Sequence, residues 1–115
     1  MFANNGFKVL KGLTDAVVNR QGLLSNNLTN IETEGYVRKD INFSNVLSGL
    51  KNDIGIDQTN ESTIAQATYD DHGNKVTLET ELSQMYDNHL RYLLLVKGVN
   101  SHFEHMKKAL EVRGA

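Results

Sequence analysis

Between Thr77 and Val112 the apolar residues recur in two interleaved rows. Leu82, His89, Val96, Phe103 and Leu110 stand seven residues apart, and Met85, Tyr92, Val99 and Met106 form the second row. Alternating steps of three and four keep such residues on one side of a helix that supercoils gently left-handed around a partner. His89 is the polar member of the stripe. Leu90, Leu93, Leu94 and Leu95 widen it in the middle, where the helix touches more than one neighbour.

The length of this helix constrains the rest of the chain. About 35 residues at 1.5 Å each give roughly 52 Å. A compact chain of this size has a radius of gyration near ~13 Å and is only about 35 Å across. The helix does not fit inside its own globule. Either it breaks, with Gly98 as the natural place, or the molecule is elongated and needs a partner along its length. Gly98 costs only about 1 kcal/mol relative to alanine, so a break is allowed but not required.

Residues 7–31 predict a second amphipathic helix. Leu10, Val17, Leu24 and Ile31 stand at sevens, and Leu13, Arg20 and Asn27 fill the other row. Arg20 is expected at the edge, its stem laid across apolar surface. Asn27 either sits at the edge too or fixes the register against a neighbouring chain. Gly12 and Gly22 weaken the helix by about 1 kcal/mol each, so it frays until packed. It spans roughly 36 Å, against roughly 52 Å for the C-terminal helix. Paired as an antiparallel hairpin, the two leave apolar stripe uncovered, which marks an interaction site.

The middle, residues 36–74, reads as irregular with short elements. Residues 37–42 alternate and look extended. Phe43, Val46, Leu47 and Leu50 suit one buried face of a short helix. Residues 51–62 are polar and read as a mobile loop, residues 63–69 as a strand, and Asp71-His72-Gly73-Asn74 as a turn. Thr77 is placed to cap the long helix, with Glu79 and Glu81 in its first turn to suit the dipole.

Composition narrows the function. A formal net charge of −2 argues against a nucleic-acid binder, which usually carries a basic face. The sequence has no cysteine, so neither disulfides nor thiolate metal sites arise, and no proline, as long helices prefer. The N-terminus, MFANNGFKVLKG, lacks the basic and apolar segments of a secretory signal, and no run is apolar enough to span a membrane.

Little chemistry competes with a structural role. His102 and His105 are neighbours on a helix, but a metal needs three or four convergent ligands and no third is evident. His89 reads as a polar seam residue that makes assembly pH-sensitive. Asp70 and Asp71 lie in a turn, without the cleft that acid–base work requires. No phosphate-binding glycine loop or nucleophile motif occurs. No catalytic residue, cofactor or metal is therefore expected. The Asp87–Arg91 and Glu104–Lys108 pairs read as a solvated helix face.

Two stretches carry a resemblance. Ser25-Asn26-Asn27-Leu28-Thr29-Asn30 followed by Thr33-Glu34-Gly35-Tyr36 resembles the N-terminal signature of the flagellar axial family of rod, hook and hook-associated proteins. Its motif residues here are Asn26, Asn27, Asn30, Thr33, Gly35 and Tyr36, with Glu34 where the family usually has proline. The run from Asp71 to Leu82, with Leu90-Arg91-Tyr92, is similar to the C-terminal helix of the family's proximal rod members. The resemblance implies terminal helices packed in a coiled-coil-like layer of a tube, and a self-assembling, motility-serving rod of the bacterial basal body. It further implies type III export without cleavage, and the rod and base proteins FliE, FlgC, FlgF and FlgG, with the export apparatus, as partners.

The expected fold is mainly α. One domain, residues 1–115, forms an elongated antiparallel helical hairpin, with helices over 7–31 and 77–112 and an irregular middle that carries short β structure. The assembly interface is expected on Leu10, Leu13, Val17, Leu24, Asn27 and Ile31, and on both rows of the long helix. The expected function is a structural rod subunit that passes torque. A soluble coiled-coil adaptor or export chaperone, dimerising through the long helix, is the alternative.

Overall fold

The computed structural model describes the backbone of residues 2–51 and 60–114 and the side chains of residues 6–51 and 61–111. It is an elongated, mainly helical molecule of 64 × 29 × 17 Å with a radius of gyration of 17.2 Å. A compact chain of this length would have about 13 Å. The elements are α1 (Phe2–Thr29), β1 (Arg38–Ile41), α2 (Phe43–Lys51), α3 (Asn60–Ala67), β2 (Thr68–Asp71) and α4 (Leu78–Gly114). The two terminal helices run antiparallel, and the middle of the chain packs against one flank of α1.

Helix α1 begins five residues earlier and ends two earlier than the 7–31 expectation. Its end is set by the side chains that follow. Asn30 donates its side-chain amide to the Asn26 carbonyl at 2.9 Å, and the Thr33 hydroxyl donates to Asn30 Oδ1 at 3.1 Å. Gly35, at φ +75°, then turns the chain towards β1. That region is open to glycine and costly for residues with a Cβ. The turn forms with Glu34 in place of a proline.

Strands β1 and β2 pair antiparallel, Arg38 opposite Asp71 and Ile41 opposite Thr68. A two-stranded ribbon is marginal alone. Here Ile41 turns into a core with Ala16, Val46, Leu50, Ile64 and Ala67. Helix α2 presses Leu50 onto α1 at Gly12, where a Cβ would lie 2.6 Å from the leucine methyls. The glycine that weakens α1 in isolation is thus the site where α2 docks.

The middle segment departs from expectation at residues 63–69. These were expected to be a strand, but Asn60–Ala67 is helix and only Thr68–Asp71 is strand. Thr63, Ile64 and Ala67 are the buried residues, a helical spacing rather than an alternating one. Gly49 of α2 admits the contact: a Cβ there would stand 2.6 Å from Thr63 Cγ2. Of the loop expected over 51–62, Lys51 lies in α2 and residues 60–62 lie in α3, while residues 52–59 lie outside the described residues.

Helix α4 starts at the expected cap, the Thr80 amide donating to Thr77 Oγ1 at 3.1 Å. It passes through Gly98 unbroken. A Cβ at Gly98 would meet Leu10 at 3.4 Å, an ordinary van der Waals contact, so α1 lies alongside α4 at this point. No described helix is long and apolar enough to cross a membrane.

Candidate assembly surface and the ion-pair node behind it

Four elements meet around two buried arginines. Arg38 of β1 grips Glu81 of α4 with two hydrogen bonds, Nε to Oε2 at 3.0 Å and Nη2 to Oε1 at 3.3 Å. Its Nη1 donates to Asp71 of β2 at 2.8 Å, and its Nη2 reaches Asp40 at 3.4 Å. Arg20 of α1 donates from Nε to Asp40 at 2.7 Å and from Nη1 to Asp87 of α4 at 2.9 Å, and bonds the Gln84 side-chain oxygen. Glu81 is 0% exposed, and the side chains of Arg38 and Arg20 are 3% and 5% exposed. Arg20 is therefore interior rather than an edge residue. A charge taken from water is tolerated only where such partners surround it. Burial works against both guanidinium charges, but the carboxylate hydrogen bonds outweigh it and raise both pKa values further.

The motif residues lie beside this node. Asn27 is 0% exposed. Its amide nitrogen donates to the Lys39 carbonyl at 2.8 Å and to Glu81 at 3.0 Å, and its oxygen accepts from the Lys39 amide at 3.0 Å and the Tyr36 hydroxyl at 2.9 Å. The side chain thus pairs with β1 as a strand backbone would. Asn26 donates to the Tyr36 oxygen at 3.2 Å. The asparagines that end α1, the turn at Gly35 and the tyrosine after it together seat β1 on α1.

Two carboxylates of the node have depressed pKa values. Asp71 is lowered first by the Asn74 side-chain amide, with Arg38 and the Gly73 amide adding to it against the effect of burial. Asp87 is lowered by Arg91 and then by Arg20. A carboxylate with a depressed folded pKa contributes stability that is fully present above its unfolded value of 3.8 and is lost as pH falls through the folded value. The thermal midpoint should therefore hold level from pH 7 to about 5 and fall below about pH 4. Circular dichroism melts across this range check it, and Asp71→Asn should shrink the acid loss.

The node also decides which face of α4 meets α1. Glu81, Asn88, Leu95 and His102, seven residues apart, turn inward. Asn88 is 2% exposed and donates to the Val17 carbonyl at 3.0 Å and to Gln21 at 3.1 Å. His102 stacks on Phe7, ring centroids 5.9 Å apart. This inward row is one residue ahead of the most apolar row. Within the chain, Leu82, His89, Tyr92, Phe103, Met106 and Leu110 are exposed, and Met85, Val96 and Val99 are half-buried. On α1, Val17 and Leu24 are buried inside the chain, like Asn27, and Leu10 and Leu13 are half-buried, as is Ile31 in the turn that follows.

Helix α4 exposes much apolar surface. Leu78, Leu82, Tyr86, Leu90 and Leu94 stand four residues apart in a row that winds partway round the helix, with exposures from 44% to 69%. Phe103, Met106 and Leu110 form a second patch at the far end, at 53%, 39% and 66%. Where α1, α2 and α4 meet lies a groove of about 330 Å³ lined by Leu13, Phe43, Leu47, Leu94 and Leu95, with Arg91 above the Phe43 ring at 4.6 Å. No group of three or more His, Asp or Glu side chains that could hold a metal converges among the described residues. His89 and His105 are exposed and His102 is half-buried. Asp70 pairs with Lys39 at 3.4 Å.

Pattern reading missed Arg38, Asp40, Glu81 and Asn88 because it follows apolar residues. One signal was present: Arg20 and Asn27 interrupt the apolar row of α1 seven residues apart, and Glu81 and Asn88 repeat that spacing on α4. Two polar interruptions at matched spacing suit helices that face one another through polar side chains.

No protein-family model matches the chain. It is similar to the flagellar basal body rod protein FlgB of Bacillus subtilis (strain 168), 28% identical over 105 residues that cover 79% of this chain and 81% of that relative. It is also similar to the flagellar basal body rod protein FlgB of Buchnera aphidicola subsp. Baizongia pistaciae (strain Bp). There the identity is 25% over 130 aligned positions, covering 94% of this chain and 96% of that relative.

Proposed function

We propose that this chain is a structural subunit of the proximal rod of the bacterial flagellar basal body. The likeness to two rod proteins along most of its length supports the rod. One observation favours assembly over a solitary role: α4 turns buried Glu81 and Asn88 towards α1 and leaves Leu82, Tyr92, Phe103, Met106 and Leu110 of its apolar stripes exposed. Exposed apolar residues gathered along one helix suit a protein–protein surface. Covered by neighbouring subunits, they contribute about 25 cal/mol per Å² of apolar area removed from water.

On this reading residues 1–115 act as one rod-protein domain. The ion-pair node fixes the angle between the helices so that each subunit presents the same surface. Rod and base proteins of the FliE, FlgC, FlgF and FlgG kinds are the neighbours, export follows the flagellar type III route, and the packed helices carry torque. No catalytic step is assigned to any residue.

The test is electron microscopy of basal bodies from a strain lacking this chain. Rings without a rod, together with lost motility, are expected. Intact rods and normal swimming would sink the proposal and turn attention to a cytoplasmic adaptor that dimerises through α4.

A further inference from the structure

The groove where α1, α2 and α4 meet is apolar, with Ser44 and Arg91 as its polar residues. Both lie by the Phe43 ring. Ser44 follows Phe43 in α2, and the Arg91 guanidinium stands 4.6 Å from the ring centre. Within the chain Arg91 donates only from Nε, to Asp87 at 3.0 Å. Its Nη1 and Nη2 groups and the Ser44 hydroxyl have no protein partner among the described residues. An arginine with open N–H groups in a fixed fork suits a carboxylate.

The charges around the groove agree. On the α1 side, Arg20 is bonded to Asp40 and Asp87, and Asp87 is shared with Arg91, so both carboxylates are already matched. Lys11 is paired with Asp15 at 3.2 Å. Helix α2 contains no acid and ends on Lys51. Residues 88–103 of α4 contain no acid either, and carry Lys97 three residues from Leu94. Lys51 and Lys97 are exposed. The unmatched charge beside the groove is therefore positive.

The apolar surface continues over the lip of the groove. Leu90, Leu93 and Leu94 are 44%, 49% and 69% exposed. A small molecule in the groove would leave that surface in water. A helix, whose residues three and four apart share a face, covers both.

We infer that the groove seats a helix of another protein, one that presents an aspartate or glutamate a turn away from an apolar residue. The carboxylate meets Arg91 and Ser44, and the apolar side chain lies between Leu47 and Leu94. The inference deepens the reading of the chain as a rod subunit and rests on it only for where the partner is found. A second copy of this chain fits less well. The exposed acids of α4 are Glu79, Glu104 and Glu111, and each has Lys75, or Lys107 and Lys108, within four residues. Those lysines would be brought towards Arg91 and Lys97. Asp15 is paired with Lys11, and Ile64, the apolar neighbour of Glu61 in α3, is buried.

The test places the photo-crosslinking residue p-benzoyl-phenylalanine at Leu94 of the full chain, irradiates the cells that make it, and sequences the captured peptide. A helix of another protein is expected, with Asp or Glu within four residues of the captured position. Arg91→Glu should lower capture about tenfold, and so should reversal of the partner's acid to lysine. The two reversals together should restore it. The Arg91–Asp87 pair is exposed, so the fold should survive, and circular dichroism melts check this. Arg91→Gln, which sets no acid beside Asp87, should also lower capture and serves if Arg91→Glu does not fold. Any of four results would overturn the inference: no capture above the unirradiated control, capture of another copy of this chain, capture undiminished by the Arg91 variants, or reversals that fail to restore it. Location separates the two readings. Charge-dependent capture by a cytoplasmic protein, with the chain absent from basal bodies, rejects only the rod. Presence in basal bodies with charge-independent capture rejects only the groove's partner.

Discussion

Replacing Arg38 with alanine should destabilise the chain by about 3–5 kcal/mol, the usual cost of leaving a buried charge without its partner. Arg38 bonds carboxylates from three elements, and one of them, Glu81, is 0% exposed. Without the guanidinium, Glu81 retains Asn27 as a hydrogen-bond donor but has lost its positive charge. Domains are stable by only about 5–15 kcal/mol, so such a loss is a large share of the whole. For a domain near this size it lowers the thermal midpoint by roughly 15 °C or more. Melting followed by circular dichroism reads the effect. A midpoint within a few degrees of wild type would mean that the node does not hold the hairpin. The double variant Arg38→Met with Glu81→Leu removes both charges together and should recover part of the loss, because buried ion pairs are often replaceable by apolar pairs of similar volume.

The fold was legible where a single helix dictates its own pattern. The cap at Thr77, the long helix, the strand at Arg38–Ile41 and the helix from Phe43 follow from local spacing. Residues 63–69 misled because Thr and Ile favour strands, whereas their packing against Gly49 and α2 is a tertiary matter. The same reason hid the facing of the hairpin. Periodicity finds the most apolar row, and that row faces another helix only if no better contact exists. Here Glu81 meets Asn27 and Arg38, Asp87 meets Arg20, and Asn88 meets Val17 and Gln21, residues separated by up to 71 positions in sequence, and no local window contains both partners. Asn27 shows the limit from the other side. Its place in the row left an edge position and a register-setting role open, and that it pairs with the backbone of Lys39 depends on the turn at Gly35.

The outward row leads to the second large effect. Leu82→Asp and Leu110→Asp place a charge on side chains that are 49% and 66% exposed. Within the chain neither buries the new carboxylate, so stability should change by about 0.5 kcal/mol or less, as at other surface sites. Under a neighbouring subunit the same carboxylate would lose its water with no partner provided, a cost of several kcal/mol. The expected phenotype is a soluble, helical protein of normal melting temperature in cells that do not swim. Repetition sharpens it, since each subunit carries the defect and an assembly cannot route around it. Swimming in soft agar, with purified variants melted in parallel, distinguishes the outcomes. Non-motile cells with a folded variant place the apolar row at a subunit contact. Normal swimming would mean that the row stays in water, and its exposure would then need another explanation.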